Sequence, residues 1–595
     1  MLNRKKFLTV ILALSCIANV CFSQELEKDW NDFLHYVKIG QLDLAKGFAE
    51  KIISSDPDPV KLLSLSEQNP QGYSILLRIT EKASDTELVN FTDRILKIIE
   101  KGRVERRTEP SIIAEQVRKL SSTARAKYAA VKRLRNAGEY AVPYMLDALS
   151  DPGRREEHPN IIWALPQVGK DAIRPLCTAV HTGDPALKAE IIKTLGKIGY
   201  PQSLACLKYV MENSDSPQMR SFAVESIEKI DPAARRVPAA QLYFNLAENY
   251  YYHSDSLNPA EDADFANIWF WDEGEGGLIR EKVGRKYFYE LMAMRCCEWS
   301  LKSDEAFGKS IGLWLSAFFN AESTGLDMPD YFGDGHAGPS VYATTAGPEY
   351  LHQALDRAVK DENAYLALGV IEALSRTAGE KSLFYTLGTD QPLLKALSFS
   401  DRAVRYSAAI AIGAAGPRSR FAERRLVIDN LSEAVAVSVS GEVPAGFTAA
   451  QMDEYALKAA DVMLQLARTR NPVIDLSDAL DVLQEAIKAD HREIQVMAGR
   501  ILARIDSPGA QRSIAAMALE EENPIEIRIS GFESLAVSAK INANLLTDSE
   551  IDLVYSIVSS QDTEPELRKA AAAAFGSLNL PSRKVKMLVI DQARN

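Results

Sequence analysis

Apolar residues recur at three- and four-residue spacing through most of this chain, in short phrases of one recurring form. In Asp184–Gly199, DPALKAEIIKTLGKIG, the residues Leu187, Ile191, Ile192, Leu195 and Ile198 fall on one helical face. The Asp-Pro opening caps and starts such a helix, because the carboxylate accepts from the first free N–H groups and the proline presets the backbone. The glycine closes it. Related phrases are His158–Gly169, Asp215–Asp231, Asp361–Gly379, Asp401–Gly413, Asp490–Asp506, Asn523–Ala536 and Asp562–Gly576. A basic residue returns at one position: Lys188 and Arg220 are 32 residues apart, and Arg528 and Arg568 are 40 apart. Gln495 precedes Arg528 by 33 residues, and Tyr365 precedes Arg405 by 40. Second apolar helices accompany the phrases, as in Ala141–Leu149 and Ala172–Val180. One such pair cannot bury its apolar face alone, whereas stacked pairs share a continuous core. The pattern therefore predicts an all-α fold, an α-solenoid of stacked helix pairs.

The phrases resemble HEAT repeats, in particular the short, Ala-rich HEAT-like repeats of the phycobilisome-lyase type. The resemblance is carried by the Asp184-Pro185 opening, by the basic slot (Lys188, Arg220, Arg405, Arg528, Arg568) and by small residues at helix-facing positions such as Ala408 and Gly499. It covers roughly residues 120–235, 348–420 and 450–595. It implies a binding scaffold; lyase chemistry belongs to a few members only, and no chromophore-attachment site is matched. The ladder of basic residues reads as structural, each stem packing on a neighbouring helix and meeting the Asp of a flanking repeat.

The segments between the repeats differ. Residues 24–119 read as helical without the phrase, and Asp29–Pro57 reads as a helix, a turn at Gly40 and a second helix, resembling a TPR hairpin. Between Lys101 and Arg135, eleven Lys/Arg stand against three Glu, either a solvated face or a patch that meets an anionic surface or an acidic part of the chain. Residues 236–347 form an aromatic-rich, TPR-like helical segment followed by a long Gly/Pro-rich loop; 21 of the 47 aromatics and four of the six Trp lie between 241 and 350. Residues 421–449 read as an irregular insert, where Ala434–Gly441 alternates at period two and suggests a short strand.

Charge and the N-terminus change the picture. Arg4, Lys5 and Lys6 precede an apolar run from Phe7 to Val20, with small residues Cys21 and Ser23 before Gln24. That order predicts a signal peptide over 1–23 and an exported, periplasmic or extracellular protein with no membrane span after cleavage. The net charge of −12 becomes −15 once the three basic residues leave, which argues against nucleic-acid binding. Cys177, Cys206, Cys296 and Cys297 remain, too few for a disulfide scaffold. They read as small buried residues, with a Cys177–Cys206 bridge open if the two backbones approach closely.

No catalytic motif is present, and the seven His are scattered without metal-ligand spacing. Asp327, Asp330, Asp334 and His336 share a loop but match no calcium pattern. The expectation is a non-enzymatic scaffold without metal or cofactor, binding one or more proteins and no small-molecule substrate. A structural part of an envelope-associated assembly, and a lyase-like enzyme, are the alternative readings. The expected contact residues are Trp269, Trp271, Tyr251 and Tyr331, with Asp272 and Glu273 favouring a basic partner; an aromatic core is the competing arrangement for the same rings.

Overall fold

The computed structural model describes residues 25–82, 85–259, 264–333 and 335–581, with 583, 585, 586, 589 and 590. The segment read as a signal peptide lies outside the described residues, as does Asp334. The described chain is helical apart from one two-stranded sheet and an isolated bridge. It divides into two compact units, up to Phe307 and from Gly308 onward.

The first unit opens with helices 25–38, Leu42–Ser54, Pro59–Gln68, Pro70–Lys82 and Thr86–Thr108. Gly40 turns between the first two at φ +77°, where only glycine is free of strain. Trp30, Phe33, Leu62, Leu63, Ile95 and Ile99 form their core. Gly102 is required by contact: a Cβ there would lie 2.1 Å from the Pro59 carbonyl oxygen. Helix pairs follow from Pro110 and share a second core through Leu134, Ile161, Leu176, Ile191, Leu207 and Ile227. Helix Pro185–Ile198 packs on Pro217–Ile230, and Leu204–Asn213 packs on Ala239–Tyr251, so successive pairs form two layers.

The second unit has the same construction. Helices Lys309–Ser323, Ala364–Thr377, Arg402–Ala415, Ala449–Thr469, Arg492–Leu502, Ile525–Asn542 and Pro565–Ser577 form one layer, each packed on the next. Ala408 and Gly499 are buried, as the repeat pattern requires. At Gly531 a Cβ would lie 2.9 Å from the Ala518 Cα, so the two helices approach as closely as their backbones allow.

The repeat phrase works as its chemistry predicts. Asp184 accepts from the N–H groups of Ala186 (2.8 Å) and Leu187 (3.3 Å), and Gly199 ends the helix in the left-handed conformation. The basic slot is structural, but its recurring partners are backbone carbonyls rather than aspartates; Arg405 in addition pairs with Glu433 at 3.0 Å. Arg220 donates to Ser214 O (2.7 Å), Arg405 to Phe399 O (3.2 Å), Arg528 to Ala518 O (3.2 Å) and Arg568 to Gln561 O (2.8 Å). Gln495, in the same slot, donates to Ile487 O at 3.0 Å. Each side chain thus satisfies carbonyls left open at the end of the preceding helix, where a positive charge is also favoured.

Two sequence readings need correction. Residues 424–440 form a helix, not an irregular insert with a strand. Val427, Ile428, Leu431, Ala434 and Val435 are buried at helical spacing, and this longer period outweighs the short alternation at its end. The middle segment is not wholly helical either. Phe265–Asp272 (β1) and Gly277–Gly284 (β2) form an antiparallel hairpin in which Trp269 faces Arg280. The turn is built by Asp272, whose Oδ1 accepts from Gly274 N (2.7 Å) and Glu275 N (3.2 Å), and by Gly276 at φ +66°.

Candidate interaction surfaces

The hairpin is clamped to the repeats of the first unit by a buried polar cluster. Glu139 Oε2 accepts from Arg174 Nη2 (3.0 Å) and from Trp269 Nε1 (2.9 Å). Glu139 Oε1 accepts from Asn267 Nδ2 (2.5 Å), and the same amide donates to the Tyr140 hydroxyl (2.8 Å). The Arg174 guanidinium lies 5.0 Å from the centre of the Phe288 ring. Burial pushes the neighbouring Tyr140 and Tyr250 phenols up, which holds both in the neutral form.

This geometry redistributes the expected contact residues. Trp269 is 4% exposed and Tyr251 is 7% exposed; both belong to the core rather than to an exposed surface. The physical reason is that each large ring is covered by packing, and the indole N–H of Trp269 has the partner it needs inside. Trp271 is half-buried against the same core, and Asp272 is half-buried and committed to the hairpin turn. Glu273 is exposed. Tyr331 is half-buried and lies in the second unit, with its ring 6.5 Å from Phe332, whose ring stacks on His336 at 4.7 Å. Of the six residues, Glu273 is therefore the one fully exposed side chain.

The four cysteines are free thiols, and no Cys177–Cys206 bridge is formed. Burial raises the pKa of Cys177 and Cys296 well above the ordinary thiol value, which suppresses the reactive thiolate. Among the described residues no His, Cys, Asp and Glu side chains gather into a metal-binding group, and no helix is long and apolar enough to cross a membrane.

Two surfaces stand out that sequence reading missed. In the first unit Tyr128 (67% exposed) meets Trp163 (40% exposed) edge to face at 6.0 Å, with Lys127 Nζ 4.1 Å from the Trp163 ring centre. In the second unit a groove of about 580 Å³ crosses helices Lys309–Ser323, Ala364–Thr377, Arg402–Ala415 and Ala449–Thr469. Its floor includes Gly369, where a Cβ would lie 2.4 Å from the Phe319 ring, so glycine sets the depth. Leu368 and Ile410 supply apolar surface, and Tyr365 and Tyr455 supply aromatic surface. Tyr365 donates to Glu322 Oε2 (2.9 Å), and its pKa is pushed up to about 12 by burial and by that carboxylate. Glu322, Glu372 and Glu454 line the groove; among lining residues Lys458 is the one basic side chain, bound to Glu454 at 2.6 Å.

The groove left one trace in the sequence. Spacing places Tyr365 in the basic slot, yet the helix is capped by Asn363, whose Oδ1 accepts from Leu366 N at 3.1 Å. The slot residue, four positions after the cap, is Ala367, which is buried, and Tyr365 is freed to face the groove.

With this architecture in view, comparison with known proteins is consistent at the level of the repeat. Residues 155–228 match the family of HEAT repeats. The chain is thus an all-α protein that carries HEAT-type repeats. Solved structures similar to it include an engineered protein (14% identity, TM-score 0.27, covering 88% of this chain and 99% of that one). The UNC-45 chaperone is similar at 11% identity and TM-score 0.28 over 96% of this chain and 83% of its own. She4p is similar at 10% identity and TM-score 0.28 over 93% and 91%. No curated protein matches the sequence.

Proposed function

We propose that this chain is an exported, non-enzymatic repeat scaffold that binds an extended, basic segment of a partner protein in the groove of its second unit. One observation carries the reading: three carboxylates, two tyrosines and an apolar floor share a concave surface built from four successive helices. Aromatic rings give contact area with little loss of side-chain freedom, and carboxylates around them select lysine and arginine. Neighbouring helices lie about 8–10 Å apart, and an extended chain advances about 3.3 Å per residue. A ligand with basic residues at every third position therefore matches the step from helix to helix. The partner that this chemistry fits is a protein, not a nucleic acid, whose phosphates the carboxylates repel.

The groove is tested with a fluorescein-labelled peptide carrying Lys at every third position, by anisotropy against the full chain. Tyr365→Ala should weaken binding about tenfold, or ~1.4 kcal/mol. Raising the salt concentration should weaken the wild-type complex further, since exposed charge pairs are screened. Equal affinity for the wild-type chain and the variant would refute the assignment. Export rests on Arg4, Lys5, Lys6 and the apolar run that follows. N-terminal sequencing of protein from its native host should begin near Gln24; an intact Met1 would refute cleavage.

A further inference from the structure

The net-basic stretch of the first unit folds around a cleft of about 870 Å³ whose walls come from helices Thr86–Thr108, Pro110–Lys119 and Ala124–Ala137. Four guanidinium groups line it: Arg103, Arg106, Arg107 and Arg133. The two carboxylates in the lining are already engaged. Glu67 receives both Nη atoms of Arg106 at 2.6 and 2.7 Å, and Glu115 pairs with Lys119 at 2.5 Å. Arg103 holds Glu100 at 2.9 Å and lies over the Tyr73 ring at 4.6 Å. Arg133 has no carboxylate within ion-pair distance among the described residues. The lining holds four guanidinium groups against two carboxylates, and so carries an excess of positive charge.

A second, independent feature points the same way. Gln116 also lines the cleft, is 2% exposed, and its Nε2 is buried without a hydrogen-bond partner. An unmade donor of this kind costs about 1–3 kcal/mol, and the natural remedy is an acceptor oxygen. Ile113 and Leu134 add apolar wall. Donors, fixed cations and an apolar wall in a concavity of this size describe a small-molecule site, for which about 300–1,000 Å³ is usual. Guanidinium forks match the paired oxygens of carboxylates and phosphates.

We infer that this cleft is a binding site for a small organic polyanion, one that presents several carboxylate or phosphate oxygens on a compact body. The oxygens meet Arg103, Arg107 and Arg133, and one of them accepts from the Gln116 amide. The site is separate from the groove of the second unit and does not depend on it.

Isothermal titration of the full-length mature chain with citrate and, separately, with pyrophosphate tests this and distinguishes the two oxygen sources. At least one of them should bind with one-to-one stoichiometry. Arg133→Gln, at an exposed position, should weaken that binding about tenfold without loss of the fold. Gln116→Leu should weaken binding as well, while the melting temperature of the free chain stays level or rises because the unmet donor is gone. Three results would overturn the inference: binding of neither anion, binding unchanged in both variants, or binding confined to an acidic hexapeptide, which would make the cleft a protein-docking surface.

Discussion

Trp269→Ala should destabilise the first unit by about 3–5 kcal/mol, the range for removing a buried tryptophan. The ring is 4% exposed on β1, and its N–H donates to Glu139 Oε2. Its loss leaves a cavity between the hairpin and the repeats and takes one donor from a carboxylate that is itself largely buried, at 12% exposure. The main-chain carbonyl of the same residue accepts from Thr178 Oγ1 at 3.4 Å, so the defect reaches helix Ile173–Ala179. Chemical denaturation of the variant should show an earlier transition. A midpoint within error of wild type would place the indole at the surface and revive its role as an exposed contact. Trp271→Ala should cost less, because that ring is only half-buried.

Glu139→Ala should cost a comparable amount, about 3–5 kcal/mol, for an electrostatic reason. Glu139 accepts from three side chains on two elements, Arg174 on helix Ile173–Ala179 and Asn267 and Trp269 on β1. Removing it leaves the guanidinium of Arg174, 17% exposed, without its ion-pair partner and strands the indole N–H of Trp269. Glu139→Gln retains an acceptor oxygen but not the charge, and should fall between wild type and Glu139→Ala. If all three proteins unfold at the same denaturant concentration, the cluster does not hold the hairpin in place.

Much of the architecture was legible because the repeat writes itself at several levels at once. Asp184 and Pro185 cap, Ile191 and Leu195 pack, Gly199 stops, and the slot occupied by Arg220, Arg405, Arg528 and Arg568 returns. What the sequence hid depends on tertiary partners. Trp269 carries no local sign that Glu139, 130 residues earlier, will receive its N–H. The hairpin lies within a run of helices, and its dense aromatics suit a strand face as well as a helix–helix contact. The helix over 424–440 was obscured because AVAVSVSG alternates over its last turns, whereas the burial that decides the matter begins at Val427. The groove was least legible of all. Tyr365 and Glu372 share one helix, but Glu322 and Glu454 belong to two others, and only stacking brings the three helices to one surface. Tyr365 hinted at it by falling two positions from the slot that its spacing suggested.

The central claim, that the groove of the second unit reads the charge of an extended protein segment, is tested most directly by a charge exchange. The affinities to compare are those of wild type and Glu372→Lys for the lysine-rich peptide and for its counterpart with Glu in place of Lys. Charge-reading predicts that the substitution weakens the basic peptide at least tenfold, and that the acidic peptide binds the variant better than it binds wild type. If Glu372→Lys leaves both affinities where they were, the groove does not select its partner by charge and the claim fails.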